Sequence, residues 1–398
     1  MLKKVRIKNF RSILEQEVSI APLTILYGPN GAGKSSLFHA VTVLRNVVLN
    51  PAQPVDSFFN VPGLANFGGF DQVVHKHYGD RFIHIEVEFG ELLGGLAYGV
   101  RLGKTHGGFT LQAQVPSIMM EITTGFPYAS NSQETAAIET PSGVLNIVWN
   151  GILSKVSPQV PEAQSAEEAT AMAAKLNQPI ELLRKTDLVH VKRGFFKPHY
   201  GAVSLVTLHG EDEVATLLAS DVYLQGKVSA YLEEVVGRDF RTHTAPGTAV
   251  SSLVTTEKSS GMVTELVNDG FGINQIVYAL TKCLRRDVET IFIEEPEIHM
   301  HPTALRKLSR AFIRITRDEG KTLVISTHSE SFLLSLLTAV ATKDLDTEEL
   351  ALYLCLRKRG ETQYERQSVK ENGQVEGGLS SFIEGELEDI QHFLKVSK

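Results

Sequence analysis

The segment Gly28-Pro29-Asn30-Gly31-Ala32-Gly33-Lys34-Ser35 matches the pattern G-x-x-x-x-G-K-[ST] completely. Glycines at this spacing let successive backbone N–H groups turn inward as an anion-binding nest, and a helix beginning beside them adds the positive end of its dipole. Asn30, Gly31, Ala32, Gly33, Lys34, Ser35 and Ser36 are therefore the candidates for cradling a triphosphate. Lys34 is expected to neutralise β- and γ-phosphate oxygens, and Ser35 to ligate a Mg²⁺ ion. ATP and Mg²⁺ are the expected cofactors.

A second constellation lies far along the chain. Thr290-Ile291-Phe292-Ile293 is an apolar run that ends in Glu294-Glu295-Pro296, two carboxylates where a sheet would deliver them to a metal-bound triphosphate. Glu294 is expected to hold the Mg²⁺ shell, and Glu295 to orient or deprotonate the attacking water. Ser326-Thr327-His328-Ser329 follows the next apolar run, which places His328 to sense a γ-phosphate. The catalytic candidates are thus Lys34, Glu295 and His328.

Elements must exist to bring these residues together. Leu23 to Tyr27 reads as a buried strand running into the glycine-rich turn, and Leu37, Val41, Leu44 and Val48 recur at helical spacing after it. Val5 to Lys8 alternates as a half-buried strand. From Arg81 the alternation is strict, with Ile83, Ile85, Val87 and Phe89 on one face and His84, Glu86 and Glu88 on the other, the pattern of an antiparallel strand. Strand-like pieces at Ala97–Leu102, Phe109–Val115 and Leu145–Trp149 suggest a meander. Glu162 to Leu176 predicts a surface helix ending before Pro179, and Asp212 to Val236 a second helical stretch. The last third alternates: helix 273–285, strand 290–293, helix 303–317, strand 322–326, helix 330–340. Such alternation predicts a parallel sheet shared with the phosphate-loop strand. The expected fold is α/β, a mainly parallel sheet flanked by helices, with an antiparallel β subdomain and an α/β insertion. Residues 1–90 and 256–398 would form the core, with 91–255 as the inserted lobe.

Composition sets limits. The chain of 398 residues is 42% hydrophobic, enough for a well-buried core, and no stretch approaches the roughly 20 apolar residues a membrane helix requires. No membrane association and a cytoplasmic location are expected. Cys283 and Cys355 lie in apolar runs without a partner at metal-ligand spacing, so reduced, buried thiols are expected. A net charge of -7 argues against a surface that attracts polyanions everywhere. DNA contact would be local, at Lys3/Lys4/Arg6/Lys8/Arg11 or at Lys192/Arg193/Lys197, unless these are solvated faces.

Taken together, Glu294-Glu295-Pro296-Glu297-Ile298-His299-Met300-His301-Pro302, Ser326-Thr327-His328-Ser329 and the opening Val5-Arg6-Ile7-Lys8-Asn9-Phe10-Arg11-Ser12 resemble the SMC/RecF/OLD class of ABC-type ATPases. The match covers roughly the first 75 and last 135 residues. It implies that Asn268 to Gln275 holds a variant signature, in which Gly270, Gly272 and Asn274 contact the nucleotide of a second subunit. The segment departs from the transporter signature. Gln72 is the corresponding Q-loop glutamine, near the metal, or else a bystander in a polar loop. His299 and His301 sit where this class carries His-Pro without a metal. By the same resemblance ATP would join two heads into a homodimer or a higher oligomer. The chain would be an ATPase switch in DNA metabolism or antiphage defence, acting with a separately encoded, nuclease-like effector. A RecF-like loader on DNA and a nucleotide-regulated protein scaffold are the alternatives. Phe382 to Glu388 superficially resembles the start of a Toprim domain, but no later Asp-x-Asp pair follows it, and an acidic helix is expected there.

Overall fold

The computed structural model describes residues 1–61, 65–90, 94–114, 116–129, 132–205 and 210–379. Val115 and the acidic segment 382–388 lie outside these residues.

The half that carries the glycine-rich loop is built on a six-stranded sheet. Its order is Thr186–Val189, Thr290–Glu294, Thr322–Thr327, Leu23–Tyr27, Leu350–Lys358 and Glu361–Gln367. The first five strands run parallel and the last is antiparallel. The strands at 23–27, 290–294 and 322–327 are buried at every residue, which explains why they read as continuous apolar runs and not as alternating ones. Thr186–Val189 comes from the middle of the sequence and pairs directly with the strand that carries Glu294.

The second sheet is antiparallel, in the order Ile13–Ser19, Leu2–Phe10, Ile83–Phe89, Leu96–Leu102, His106–Ala113 and Ile118–Gly125. Ile83, Ile85, Val87 and Phe89 turn inward as their alternation predicts. The strands on either side of residue 90 pair along their length, Ile83 to Leu102 through Phe89 to Leu96. Between the two sheets lies the helix Lys34–Leu49. Its Leu37, Phe38, Val41, Leu44 and Val48 share one buried cluster with Ile85 and Val87 of the antiparallel sheet and Phe292 and Val324 of the parallel one. Phe38 meets Phe292 with ring centroids 5.2 Å apart. Each such side chain stabilises the fold by about 1.5–3 kcal/mol when fully buried. The opposite face of the parallel sheet is covered by helices Phe271–Leu284, Pro302–Asp318 and Glu330–Ala341 in a second cluster.

Two helical expectations need correction. The helix Ala163–Arg184 runs straight through Pro179, and Asp212–Val236 is two helices, Glu211–Ser220 and Val222–Val236. Asp221 divides them by accepting a 2.9 Å hydrogen bond from the Leu224 N–H, which caps the second helix.

Candidate nucleotide and metal site

The phosphate loop joins the strand Leu23–Tyr27 to the helix Lys34–Leu49 and requires glycine at fixed points. Gly33 has φ +96°, and a Cβ there would lie 2.1 Å from Thr362 Oγ1. A Cβ on Gly28 would lie 2.3 Å from the Cys355 carbonyl oxygen. The antiparallel hairpin formed by Leu350–Lys358 and Glu361–Gln367 thus presses on the loop from behind. It also bonds to it: the Thr362 hydroxyl donates to the Ala32 carbonyl at 2.9 Å, and the Tyr364 hydroxyl to the Gly33 carbonyl at 2.9 Å.

No side chain caps the helix that follows, so the positive end of its dipole is left to the cavity in front. That cavity is about 540 Å³ and is lined by Asn30, Gly31, Gly33, Lys34, Ser35 and Ser36, together with Gln72 and Glu295. Arg11 and Ser12 of the opening motif also line it. Ala32 is buried and is not among the lining residues. Lys34 Nζ donates to the carbonyls of Gly28 at 2.9 Å and Pro29 at 3.2 Å, contacts that a bound phosphate would compete for.

Glu294 ends its strand inside a cage of donors. Val191 N–H donates to Oε2 at 3.1 Å, His190 Nε2 lies 3.4 Å from Oε2, and the Ser35 hydroxyl stands near enough to favour the ionised carboxyl. His39 Nε2 lies 3.2 Å from Oε1, at an angle short of a full hydrogen bond. Burial opposes ionisation of this carboxyl. The contacts from His39, then His190 and Ser35, outweigh it and hold the group at about 2. Burial pushes both imidazoles below their ordinary value, so near neutral pH they act as neutral N–H groups.

Among the described residues, His39, His190 and Glu294 form a group whose ligand atoms lie within 4.8 Å of one another. Its tautomers oppose metal binding between the three. Arg11 Nη1, which can only donate, lies 2.5 Å from His39 Nδ1, and Lys192 N–H donates to His190 Nδ1 at 3.1 Å. Each Nδ1 is therefore an acceptor, each Nε2 carries the proton, and both Nε2 atoms lie within 3.4 Å of the carboxylate without full hydrogen-bond geometry. The group is a cradle for an anionic Glu294. Mg²⁺ is a different matter, because it takes hard oxygen donors, which the Ser35 hydroxyl on the cavity wall and the buried carboxylate of Glu294 would offer.

Glu295 follows in the left-handed region, with φ +41°. Its N–H donates to the Ser326 carbonyl at 2.9 Å, and its carboxylate Oε1 lies 3.6 Å from His328 Nδ1. His328 is held from behind by Glu297, whose Oε1 accepts from Thr327 Oγ1 at 2.7 Å and from the His328 N–H at 2.7 Å.

The residues of the implied signature lie elsewhere and do not line this cavity. Gly270 faces open space at the start of the helix Phe271–Leu284, and a Cβ on Gly272 would lie 2.6 Å from the His299 carbonyl oxygen. Asn274 must be corrected. Its Nδ2 donates to the carbonyls of Phe195 at 2.7 Å and Leu266 at 3.3 Å, and its Oδ1 accepts from Phe195 N–H at 2.7 Å. Both amide protons are spent inside the chain, so Asn274 is a brace for the loop at Phe195 and has none to give a phosphate. His301 likewise caps the helix Pro302–Asp318 by accepting from Thr303 N–H at 3.3 Å.

Several members of the basic clusters are engaged within the chain. Arg193 is buried, and Lys197 pairs with Asp212 at 2.6 Å. At the other cluster, Arg6 pairs with Glu17 at 2.6 Å and with Glu86, and Lys4 pairs with Glu17 at 2.9 Å. Lys8 pairs with Glu15 at 3.2 Å. No helix among the described residues is long and apolar enough to cross a membrane.

Sequence reasoning missed His39, His190, Thr362 and Tyr364, and named Arg193 and Glu297 without the roles they take here. His39 left a signal, since it stands one helical turn after Ser35 and so shares its face. His190 follows a short buried strand as Glu294 does. The hairpin hydroxyls left none.

Comparison with known proteins accords with this geometry. A family model described as AAA domain matches residues 4–44, which contain the phosphate loop, and one described as AAA ATPase domain matches residues 209–333, which contain Glu294, Glu295 and His328. An OLD nuclease of Thermus scotoductus (strain ATCC 700910 / SA-01) is 22% identical over 348 residues, 83% of this chain. The chain spans 60% of that relative's length. The SMC head bound to the C-terminal winged-helix domain of ScpA superposes with a TM-score of 0.50 at 9% identity, over 93% of this chain and 98% of that one. So low an identity carries only the fold, and the two family models meet the chain where that fold sets its phosphate loop and its paired carboxylates; together these likenesses support an ABC-type ATPase of the SMC/OLD class.

Proposed function

We propose that the chain is a Mg²⁺-dependent, ATP-hydrolysing switch whose heads dimerise on ATP. The observation that carries this reading is the convergence of Lys34, Ser35 and Glu295 on one cavity, with Glu294 held ionised beside Ser35. Ser35 and Glu294 would hold Mg²⁺, which supplies charge neutralisation at the β- and γ-phosphate oxygens. Lys34 exchanges the Gly28 and Pro29 carbonyls for phosphate oxygens. Glu295 takes the proton of the attacking water, and His328, on the side of that carboxylate, follows the γ-phosphate. The exposed Gly270 and the uncapped start of its helix add nothing to their own chain's cavity, which supports a role across a dimer interface, over the partner's γ-phosphate.

We place the switch in DNA metabolism or antiphage defence, together with a separately encoded, nuclease-like effector. The likeness to an OLD nuclease supports the setting, and the SMC head solved with a ScpA domain supports docking of a second protein on a head of this fold. Ion pairing of the basic clusters favours a protein partner over direct DNA loading.

The test is steady-state ATP hydrolysis with Mg²⁺, with and without duplex DNA at two salt concentrations, using Lys34→Ala as the blank. Light scattering of Glu295→Gln with ATP accompanies it. Blank-sensitive turnover and an ATP-trapped Glu295→Gln dimer are expected. A wild-type protein that neither binds ATP nor changes oligomeric state with it defeats the reading, and turnover stimulated by DNA at low salt alone returns the loader to favour.

A further inference from the structure

We propose that Arg193 is the positioning residue that sets Glu295 for hydrolysis, by clamping the main chain of both terminal carboxylates from behind. This rests on the assignment of Glu295 as the water-activating group. Arg193 stands just past the strand Thr186–Val189, is 3% exposed, and reaches across to the neighbouring strand end. Its Nη1 donates to the Glu294 carbonyl at 2.6 Å and its Nη2 to the Glu295 carbonyl at 2.8 Å. A further 3.3 Å bond from Nη1 to the His190 carbonyl ties the guanidinium to its own loop.

The peptide it grips needs holding. Glu295 adopts φ +41°, a conformation that non-glycine residues keep only when their surroundings over-determine it. The Ser326 carbonyl fixes the N–H side of this residue, and Arg193 fixes its carbonyl side. Were Arg193 only a buried countercharge, its fork would be spent on a carboxylate. It is spent on consecutive main-chain carbonyls instead, and the planar, forked geometry this takes belongs to arginine and not to lysine. Burial lowers the guanidinium to about 10, with Glu297, Glu294 and Glu295 opposing the fall, so it stays charged at neutral pH.

The same geometry separates positioning from binding. Of the residues named in the cavity lining, Glu295 is the one to which Arg193 hydrogen-bonds, and its other bonds go to the His190 and Glu294 carbonyls and not to the phosphate loop. Its loss should therefore let the Glu295 carboxylate swing while Lys34 and Ser35 keep the nucleotide.

Hydrolysis and ATP binding are to be measured on full-length Arg193→Ala and Arg193→Lys, with Glu295→Gln in parallel and circular dichroism on each. Arg193→Ala should lose roughly 100-fold in kcat, the effect of an ångström-scale misplacement, with KM changed by less than about threefold. Arg193→Lys should recover only a small part of the loss. Millimolar guanidinium should restore turnover to Arg193→Ala and do nothing for Glu295→Gln. If Glu295→Gln is inactive while both Arg193 variants turn over normally, the clamp is refuted and the base assignment stands. If Glu295→Gln turns over at the wild-type rate, the base assignment fails first. Loss of ATP binding and folded structure in both Arg193 variants, with no guanidinium rescue, makes Arg193 a structural residue and overturns the proposal.

Discussion

Replacing Gly33 by alanine sets two separable penalties against each other. A side chain at φ +96° costs about 1–2 kcal/mol for left-handed backbone. The added Cβ would lie 2.1 Å from Thr362 Oγ1 and 2.9 Å from its Cγ2, an overlap whose relief costs about 1–3 kcal/mol. The single substitution should thus destabilise the fold by about 2–5 kcal/mol. Thr362→Ala alone should cost about 1–3 kcal/mol, because it removes the hydroxyl bonded to the Ala32 carbonyl at 2.9 Å and to Ser12 Oγ at 2.7 Å. The double variant removes the offending Oγ1 and Cγ2 and leaves the backbone penalty in place. Its loss should therefore fall short of the sum of the single losses by about 1–3 kcal/mol. Urea unfolding followed by circular dichroism on all four proteins closes the cycle. Losses that add to within about 0.5 kcal/mol would show that the hairpin does not press on the loop, and would refute the packing described above.

Three further outcomes are expected. Glu294 titrates lower folded, at about 2, than its ordinary value of 4.5, so its contribution is present above the unfolded value and lost as pH falls through the folded one. At roughly 3 kcal/mol, it should make the wild type lose more stability than Glu294→Gln between about pH 5 and about pH 2, as urea titrations at stepped pH would show. Burial pushes the Cys283 thiol up to about 12 and raises Cys355 as well, and both are fully buried. Neither should react with iodoacetamide near neutral pH until denaturant is added, as intact-mass spectrometry would report. Asn274→Ala strands buried groups of Phe195 and Leu266 and should cost about 1–3 kcal/mol in chemical denaturation, while ATP binding to the isolated head stays unchanged.

What the sequence made legible was local. The run from Leu23 to Ser36 specifies a strand, a glycine turn and a helix N-terminus by its own chemistry, and Thr290 to Glu295 announces a buried strand with acids at its end. What it concealed depends on distant partners. Thr186-Asp187-Leu188-Val189 looks too polar for a core strand until Lys282 and Arg285 are seen 2.7 Å from Asp187. Arg193 reads as one of a solvated basic cluster because nothing nearby in sequence reveals the carbonyls, about 100 residues on, that consume it. Pro179 should end its helix by local rules, yet Leu176, Ile180 and Leu183 on either side are buried, and their packing outweighs an interior proline cost of about 3 kcal/mol.

The hydroxyls of Thr362 and Tyr364 have a consequence for how the molecule is made. They reach loop carbonyls that precede them by 330 and 331 residues. A ribosome adding about 5–20 residues per second leaves the phosphate loop without this backing for roughly 15–65 s after the loop has been synthesised. Through that interval a nascent chain carries the whole nucleotide motif but not the strand that shapes it. Competence to hold ATP should therefore arrive late in synthesis, and a chain stalled before Thr362 should remain silent toward nucleotide however well its N-terminal strands have collapsed.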